Sequence, residues 1–407
     1  MKKNSGNIYL VLVYISMFFV YGIISPYLPI MIRSLGYSAS VVGILLAIVE
    51  GVGILGPFLF GRVSDKYGKY KGVIAFSYIL IAGAALPLAM YTQPLISAVL
   101  VAVLAIGYRS AMPLTEAMVT INLGESGNYG RIRATGSVAF AFFVLFLQWI
   151  PVLRPLEPLN IAFWMCVTSI FAIMVIILMP SKYTTRNLPL EKSPQGIIAA
   201  GEGVKKKSIW TPLFIAGLIS ISLNRLAMTP INSFFSLFLI EYVQWDAVGF
   251  MWALATIAEI PLMFFSFRLI RRFGTMPILA FAGVILALRL GIYAIFPFKA
   301  GIVMAQLLHS FCYGLFHPAA VAFISGCVPP EQRSFGMTLY MSLGGGIPTL
   351  IGNFIGGFII DYAGYRFLFG FFTIFAVLSA VICIVYHNVH RKYGAKAISQ
   401  DNLSIWK

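Results

Sequence analysis

Residues 113–137 read PLTEAMVTINLGESGNYGRIRATGS, and they place ionisable side chains in sequence that is otherwise apolar. Glu116 lies before a polar break in this segment, and Arg133 follows the break. An ionised group in hydrocarbon costs several kcal/mol unless it finds a partner or a water-filled cavity, so we predict that these two side chains form the centre of a site. Residue type alone leaves an equal alternative, in which both lie near a membrane interface and pair structurally.

Apolar runs dominate the rest of the chain. Hydrophobic residues make up 60% of the 407 residues and charged residues only 10%, which is far outside the range of soluble proteins. A helix of about 20 residues crosses a hydrocarbon core of about 30 Å. Runs of this length predict an all-α membrane protein with twelve transmembrane helices, near residues 8–32, 41–60, 73–91, 94–119, 132–153, 158–180, 210–239, 247–267, 276–297, 300–325, 334–359 and 365–387.

A polar stretch divides the twelve predicted spans into six and six. The repeat is visible in GRVSDKYG at 61–68, which FRLIRRFG at 267–274 echoes without the aspartate. Parallel repeats of this kind are typical of transporters whose site lies between the halves. We predict two six-helix bundles around a central cavity, with the boundaries 1–180 for the first bundle, 181–209 for a cytoplasmic linker, 210–388 for the second bundle and 389–407 for a cytoplasmic tail.

The basic residues indicate the orientation in the membrane. The net charge is +16, yet the Lys and Arg residues fall in short loops between apolar runs, which argues against a nucleic-acid partner. With both termini in the cytoplasm, 21 of the 29 basic residues lie in cytoplasmic tails and loops. The positive-inside rule therefore predicts a multi-pass protein of the cytoplasmic (inner) membrane whose first helix is retained and not cleaved as a signal peptide.

The sequence holds no pattern of an enzyme or a metal protein. The four cysteines form no CxxC motif, and His387 and His390 supply only two ligands. Because no acidic pair, metal triad or nucleophile elbow is evident, we predict no catalysis, no cofactor and no metal. The partners we expect are a small-molecule solute, protons and the lipid bilayer, with the chain acting as a monomer.

Polar residues within two helices are further candidates for lining a solute pathway. Tyr14 and Tyr21 are seven residues apart and therefore share a face of the first helix, which either lines a polar pathway or packs as a core stripe. Asn224 and Arg225 in the seventh span are secondary candidates for substrate binding.

The partner of Glu116 is not decided by the sequence. Arg109 precedes Glu116 by seven residues on the same helical face and is an alternative to Arg133. Glu50, in the second span, is a carboxylate with no evident partner nearby in sequence.

Residues 61–71, GRVSDKYGKYK, resemble the signature loop of the major facilitator superfamily. The match consists of Gly61, Asp65, Lys66 and Gly68, followed by further basic residues. In that family the loop resembles a conformational latch, whose aspartate caps a neighbouring helix and pairs with an arginine when the protein faces outward. The resemblance implies this role for Asp65 and a close helix contact at Gly61.

The opening segment resembles helices four and five of one branch of the superfamily, which contains lactose permease, other oligosaccharide-proton symporters, nucleoside permeases and 3-phenylpropionate permeases. In the sugar symporters, the acid of the PxxEA segment and the second arginine of the YGxxR segment recognise substrate. These positions are Glu116 and Arg133 here. A carboxylate and a guanidinium can bind paired hydroxyls, and an arginine alone can bind a carboxylate.

The resemblance extends to the proton-coupling residues of the second half. Arg289 and His309 match the coupling arginine and histidine of the ninth and tenth helices, but the carboxylate that follows three residues later is Cys312 here. The acid of helix eight is Glu259, and a second histidine is His317; both are closer to the phenylpropionate permease branch. Proton coupling then rests on Glu259, Arg289 and His309, since a desolvated carboxylate or a histidine can carry a proton near neutral pH.

Together these features predict a secondary active transporter that works by alternating access. Its solute would be small and polar or anionic, such as a sugar, a nucleoside or an aromatic acid, and would move with protons. The alternatives are proton-driven efflux of lipophilic compounds, which the missing carboxylate at Cys312 favours, and a membrane sensor that transports nothing.

Overall fold

The computed structural model describes residues 4–123, 129–185, 209–329 and 332–394. In these ranges the chain is almost entirely helical, with short 3₁₀ turns at Pro151–Leu153 and Ser181–Tyr183. The helices, labelled in chain order, are α1 (Asn4–Ser34), α2 (Ala39–Tyr67), α3 (Lys71–Met90), α4 (Pro94–Leu123), α5 (Tyr129–Trp149), α6 (Pro158–Leu178), α7 (Pro212–Tyr242), α8 (Val248–Phe273), α9 (Thr275–Ile295), α10 (Lys299–Cys327), α11 (333–363) and α12 (365–394).

The last two helices follow each other without a loop. Together they include an apolar stretch of 55 residues, Phe335–Val389, which at 1.5 Å per residue is far longer than one crossing of a bilayer requires. Gly364 breaks this stretch, because its φ of 78° and ψ of 178° are not helical and suit a residue without a side chain. With this stretch counted as two helices, the described chain has eleven membrane-length helices, and twelve, as the sequence predicts, when α8, which bends by 55° between Leu262 and Phe264, is taken as one span.

Several helices are irregular. Ile54 interrupts α2, and π-helical turns lie in α7 at Pro230–Phe234 and Phe238–Tyr242, in α10 at Ser310–Gly314 and in α11 at Ser342–Gly346. Such turns leave the regular pattern of main-chain hydrogen bonds and are frequent at functional sites.

The first six helices pack mainly against one another, and so do the last six. In the first six, α1 lies against α5 and α6, and α4 lies against α2 and α3. In the second six, the Ser220 hydroxyl of α7 hydrogen-bonds the Ser379 carbonyl of α12 at 3.0 Å, and Gly283 of α9 allows close contact with Ala380. The predicted linker and tail fall largely outside the described residues, and α12 continues past the predicted start of the tail at 389.

The two sets of six helices meet closely at one end of the bundle, where α1 ends and α2 begins. We call this the sealed end. A methyl group added to Gly43 of α2 would lie 2.5 Å from the Asn353 carbonyl oxygen and 2.9 Å from the Gly357 Cα of α11, so the two backbones touch. The Gly249 N–H of α8 donates to Oε1 of Gln148 of α5 at 2.9 Å. Glycine at these positions lets the helices approach.

Polar contacts also join the two sets at the sealed end. Arg33 donates to Glu241 at 2.6 Å, and Arg154 donates to Asp246 at 2.7 Å. The Asp361 carboxylate accepts hydrogen bonds from the N–H groups of Ala39 and Ser40, at 3.0 and 2.7 Å, and so caps the N-terminus of α2. A carboxylate is stabilised there because the helix dipole places partial positive charge at that end.

Among the described residues, the opposite end, which carries residues 55–71, lacks the close contacts of the sealed end, and we call it the open end. Contact between α2 and α11 reaches Ile54 against Gly346, whereas most of Leu55–Tyr67 is exposed. No hydrogen bond or ion pair of the described chain joins Asp65 or Lys66 to the other half, although within the first half the Lys71 ammonium donates to the Met179 carbonyl oxygen at 3.0 Å. Asp65 accepts a hydrogen bond from the Tyr70 hydroxyl at 3.4 Å, and nothing lies within 4 Å of the position of a Gly61 side chain.

The latch loop does have a defined local structure. Gly68 ends α2 with a φ of 61°, and the Lys66 ammonium lies over the ring of Tyr67. Its expected contact with a neighbouring helix is not formed, because the halves stand apart at this end. The capping and pairing role of Asp65 stays a prediction for the other conformation.

The glycine contact at the sealed end can be tested by adding one methyl group. Gly43→Ala should lower the free energy of unfolding by about 1–3 kcal/mol, because the methyl meets main-chain atoms that cannot move aside. Thermal unfolding in detergent measures the effect. Gly83→Ala is the matched control, since nothing lies within 4 Å of its added methyl; it should be neutral or stabilising by up to about 1 kcal/mol. Equal behaviour of the two variants would contradict the close contact.

Candidate functional site

In the part of the chain that the structure describes, three ion pairs lie within the bundle, away from the sealed end. Glu116 Oε1 is 3.2 Å from Arg133 Nη1, and each side chain is 31% exposed. Arg109 pairs instead with Glu50 of α2. The structure therefore decides the partner of Glu116: it is Arg133 of α5.

The pairing of Arg109 could not be found by sequence spacing. Seven residues of helix correspond to a rise of about 10.5 Å, so Arg109 and Glu116 share a face but are two turns apart. Gly53 leaves room for the Arg109 side chain, since a methyl there would lie 2.5 Å from the Arg109 Cγ. Glu50, for which the sequence shows no partner, receives one from another helix.

The predicted tyrosine face of α1 divides into two environments. Tyr21 is half-buried, and its hydroxyl donates to the Tyr108 carbonyl oxygen at 3.1 Å, next to Arg109. Tyr14 is fully buried and packs against Phe18, with ring centroids 6.4 Å apart. Tyr21 thus lies beside the interior charges, whereas Tyr14 belongs to the core in this conformation.

A second polar network occupies the other half. Arg289 of α9 is 1% exposed and hydrogen-bonds Nδ1 of His309 at 2.8 Å, the Tyr293 hydroxyl at 3.3 Å and the Gln306 carbonyl oxygen. Its guanidinium also donates to the Cys312 sulfur at 3.6 Å. Neutral acceptors therefore satisfy Arg289 where the sugar symporters have a carboxylate.

The network continues to the candidate proton carrier. Nε2 of His309 lies 3.8 Å from Oε2 of Glu259 in α8, and neither side chain is fully buried. Gly314 of α10 has no side chain and lets Glu259 pack against the helix. The structure thus brings the predicted residues Glu259, Arg289 and His309 together in the second half.

The tenth helix carries a stack of rings that sequence reasoning missed. His309 and Tyr313 lie nearly parallel, 9° apart with centroids at 5.3 Å, and Tyr313 and His317 lie 10° apart at 6.4 Å. The spacing of four residues was the available signal, because residues four apart are neighbours on one helical face.

Arg225 of α7 lies at the end of this stack. Its Nη2 donates to the Tyr340 hydroxyl at 3.2 Å, and that hydroxyl is 2.7 Å from Nδ1 of His317. Asn224, its neighbour in sequence, is 1% exposed and closed to a solute in this conformation. In the described chain, no group of three His, Cys, Asp or Glu side chains is placed to hold a metal ion.

The chain is similar in sequence and in fold to known membrane transporters. The profile of the MFS_1 like family matches residues 7–371. A maltose permease of Geobacillus stearothermophilus is 24% identical over 396 residues, covering 94% of this chain and 95% of its own length. A probable 3-phenylpropionic acid transporter of Escherichia coli (strain K12) is 21% identical, covering 91% and 94%. The crystal structure of nucleoside transporter NupG superposes with a TM-score of 0.76 at 15% identity, covering 93% of this chain and 98% of that one.

A double-mutant cycle can test the ion pair between Glu50 and Arg109 through its effect on stability. Arg109→Gln leaves a mostly buried carboxylate without its cation, which should cost of the order of 1–3 kcal/mol. Glu50→Gln in the same chain should restore much of this loss, because two neutral amides need no counter-ion. Melting temperatures in detergent provide the measurement, with Arg62→Gln at an exposed position as the control. A double variant no more stable than Arg109→Gln alone would refute the pairing.

Proposed function

This chain belongs to the MFS_1 like family and is a multi-pass membrane transporter, and we propose that it moves a small polar or anionic organic solute together with protons. The observation that carries the proposal is that each half holds a group of ionisable side chains within its helices. Glu116 and Arg133 come from α4 and α5, and Glu259, His309 and Arg289 come from α8, α10 and α9.

The asymmetry of the two ends supports alternating access. Close contacts between the halves are concentrated at the sealed end, and the end with the latch loop is open. In our proposed orientation, with the basic loops and both termini in the cytoplasm of a bacterial cell, the open end faces the cytoplasm. Rocking of the two halves would break the sealed end and engage Asp65 at the other.

The class of solute follows from the charges between the halves. Three carboxylates and four guanidinium groups of the described residues lie within the helices there, which suits a polar or charged solute better than a lipophilic one. The named relatives transport different solutes, a sugar in one case and an aromatic acid in another, so family membership alone does not select among them.

Proton coupling is assigned to the second half. We propose that Glu259 carries the proton and that His309, held by Arg289, changes partners when Glu259 becomes neutral. Protonation removes the attraction between the Glu259 carboxylate and the cations around it, so it is a local event that can favour one conformation over the other.

The coupling role predicts a specific defect. Glu259→Gln should abolish accumulation driven by a proton gradient, because the amide cannot release a proton, but it should retain exchange of labelled for unlabelled solute. The measurement is uptake and counterflow of radiolabelled maltose, uridine and 3-phenylpropionate in proteoliposomes.

Glu157→Gln, an exposed carboxylate at the start of α6, is the matched control and should behave as the parent protein does. Accumulation by Glu259→Gln at the parent level would refute the assignment of the proton. If the parent protein moves none of the three solutes, the proposed solute classes are wrong.

A further inference from the structure

The guanidinium groups between the halves are not equally compensated. Arg109 pairs with Glu50, and Arg133 pairs with Glu116. Arg289 is satisfied by neutral acceptors, and the third carboxylate, Glu259, is nearest to His309. Four guanidinium groups against three carboxylates leave one excess positive charge among these described residues when His309 is neutral.

Two of these guanidinium groups, Arg225 and Arg289, have no acid within reach, and Arg225 is the one of the two that is partly exposed. In the described chain no carboxylate lies within 4 Å of it, and its Nη2 donates instead to a neutral group, the Tyr340 hydroxyl. Its buried Nε has no acceptor. A guanidinium has five N–H donors in a fixed planar arrangement, so much of its capacity to bind an anion is unused.

The surroundings of Arg225 are flat and aromatic. Its Cζ lies 5.4 Å from the ring centroid of Tyr313 and 5.5 Å from that of Phe316. Arg225 and Tyr313 are both partly exposed, whereas Arg289 is closed off. The Tyr340 hydroxyl, which accepts from Arg225 and also hydrogen-bonds Nδ1 of His317, helps to orient the guanidinium. A solute between the halves can therefore reach the cation and a ring beside it.

From this geometry we propose that Arg225 is the carboxylate-binding subsite, and that the transported solute is an organic monocarboxylate whose flat or apolar body lies against Tyr313. A planar guanidinium binds a carboxylate through two parallel hydrogen bonds, and a ring face accepts an apolar or aromatic body. One excess positive charge calls for one negative charge on the solute. This inference rests on the proposed transport function and names the solute class within it.

The test measures binding without any gradient. The purified full chain is melted in detergent with benzoate, phenylacetate and 3-phenylpropionate, each against its uncharged amide. We expect at least one acid, and not its amide, to raise the melting temperature by about 2–4 °C, because a ligand that binds only the folded protein stabilises it. Arg225→Gln should abolish the shift, and Arg225→Lys should keep the charge but weaken binding by about tenfold through loss of the two-point contact.

Arg268→Gln removes an exposed guanidinium from the same half and should leave the shift intact. The inference is overturned if no acid stabilises the chain, if acid and amide act equally, or if the shift survives in Arg225→Gln. None of these results depends on gradient-driven uptake. If the protein transports maltose or uridine but binds none of the three acids, the proposed transport function stands and only the proposal of a carboxylate subsite is wrong.

Discussion

Every ionised side chain within a membrane-spanning helix must find a counter-charge or a polar cavity, and this constraint organises the interior of the transporter. Glu50 of α2 pairs with Arg109 of α4, Glu116 of α4 pairs with Arg133 of α5, and Arg289 is surrounded by neutral acceptors. Each arrangement keeps a charge in place at a cost in desolvation that packed apolar side chains would avoid. These charges suit the polar solute that we propose.

The ion pairs within the first six helices differ in role from the ion pairs between the halves. The interior pairs Glu50 with Arg109 and Glu116 with Arg133 lie within the first six helices, so rocking need not break them. Arg33 with Glu241 joins the two halves, and both side chains are about 30% exposed. A partly hydrated pair of this kind contributes up to about 1 kcal/mol. This ion pair therefore adds little to the cost of opening the sealed end, which suits a protein proposed to alternate between two conformations.

The sequence was sufficient for features that depend on local pattern. Apolar runs of membrane length predicted all twelve helices, even where α11 and α12 join at Gly364 without a loop. Ion pairs between helices could not be predicted in this way. They depend on how the helices are placed in the fold, which the spacing of residues along the sequence does not show. Glu50 could not be matched to Arg109, and the burial of Tyr14 and of Asn224 could not be told from residue type. Residue type also gave no reason to join Tyr340 to Arg225.

The proposed proton site and the proposed carboxylate subsite are linked through the charge of the interior. Without solute and with Glu259 ionised, the interior carries one excess positive charge. Adding a monocarboxylate at Arg225 removes this excess, and adding a proton at Glu259 restores it. The unloaded and the fully loaded interiors therefore have the same net charge, whereas an interior loaded with only one of the two does not. A monocarboxylate at Arg225 would lower the positive potential around Glu259 and so favour its protonation, and a proton on Glu259 would in turn favour binding of the acid, since coupling between two sites is reciprocal. In this proposal, coupling of solute to proton follows from electrostatics at two separated residues.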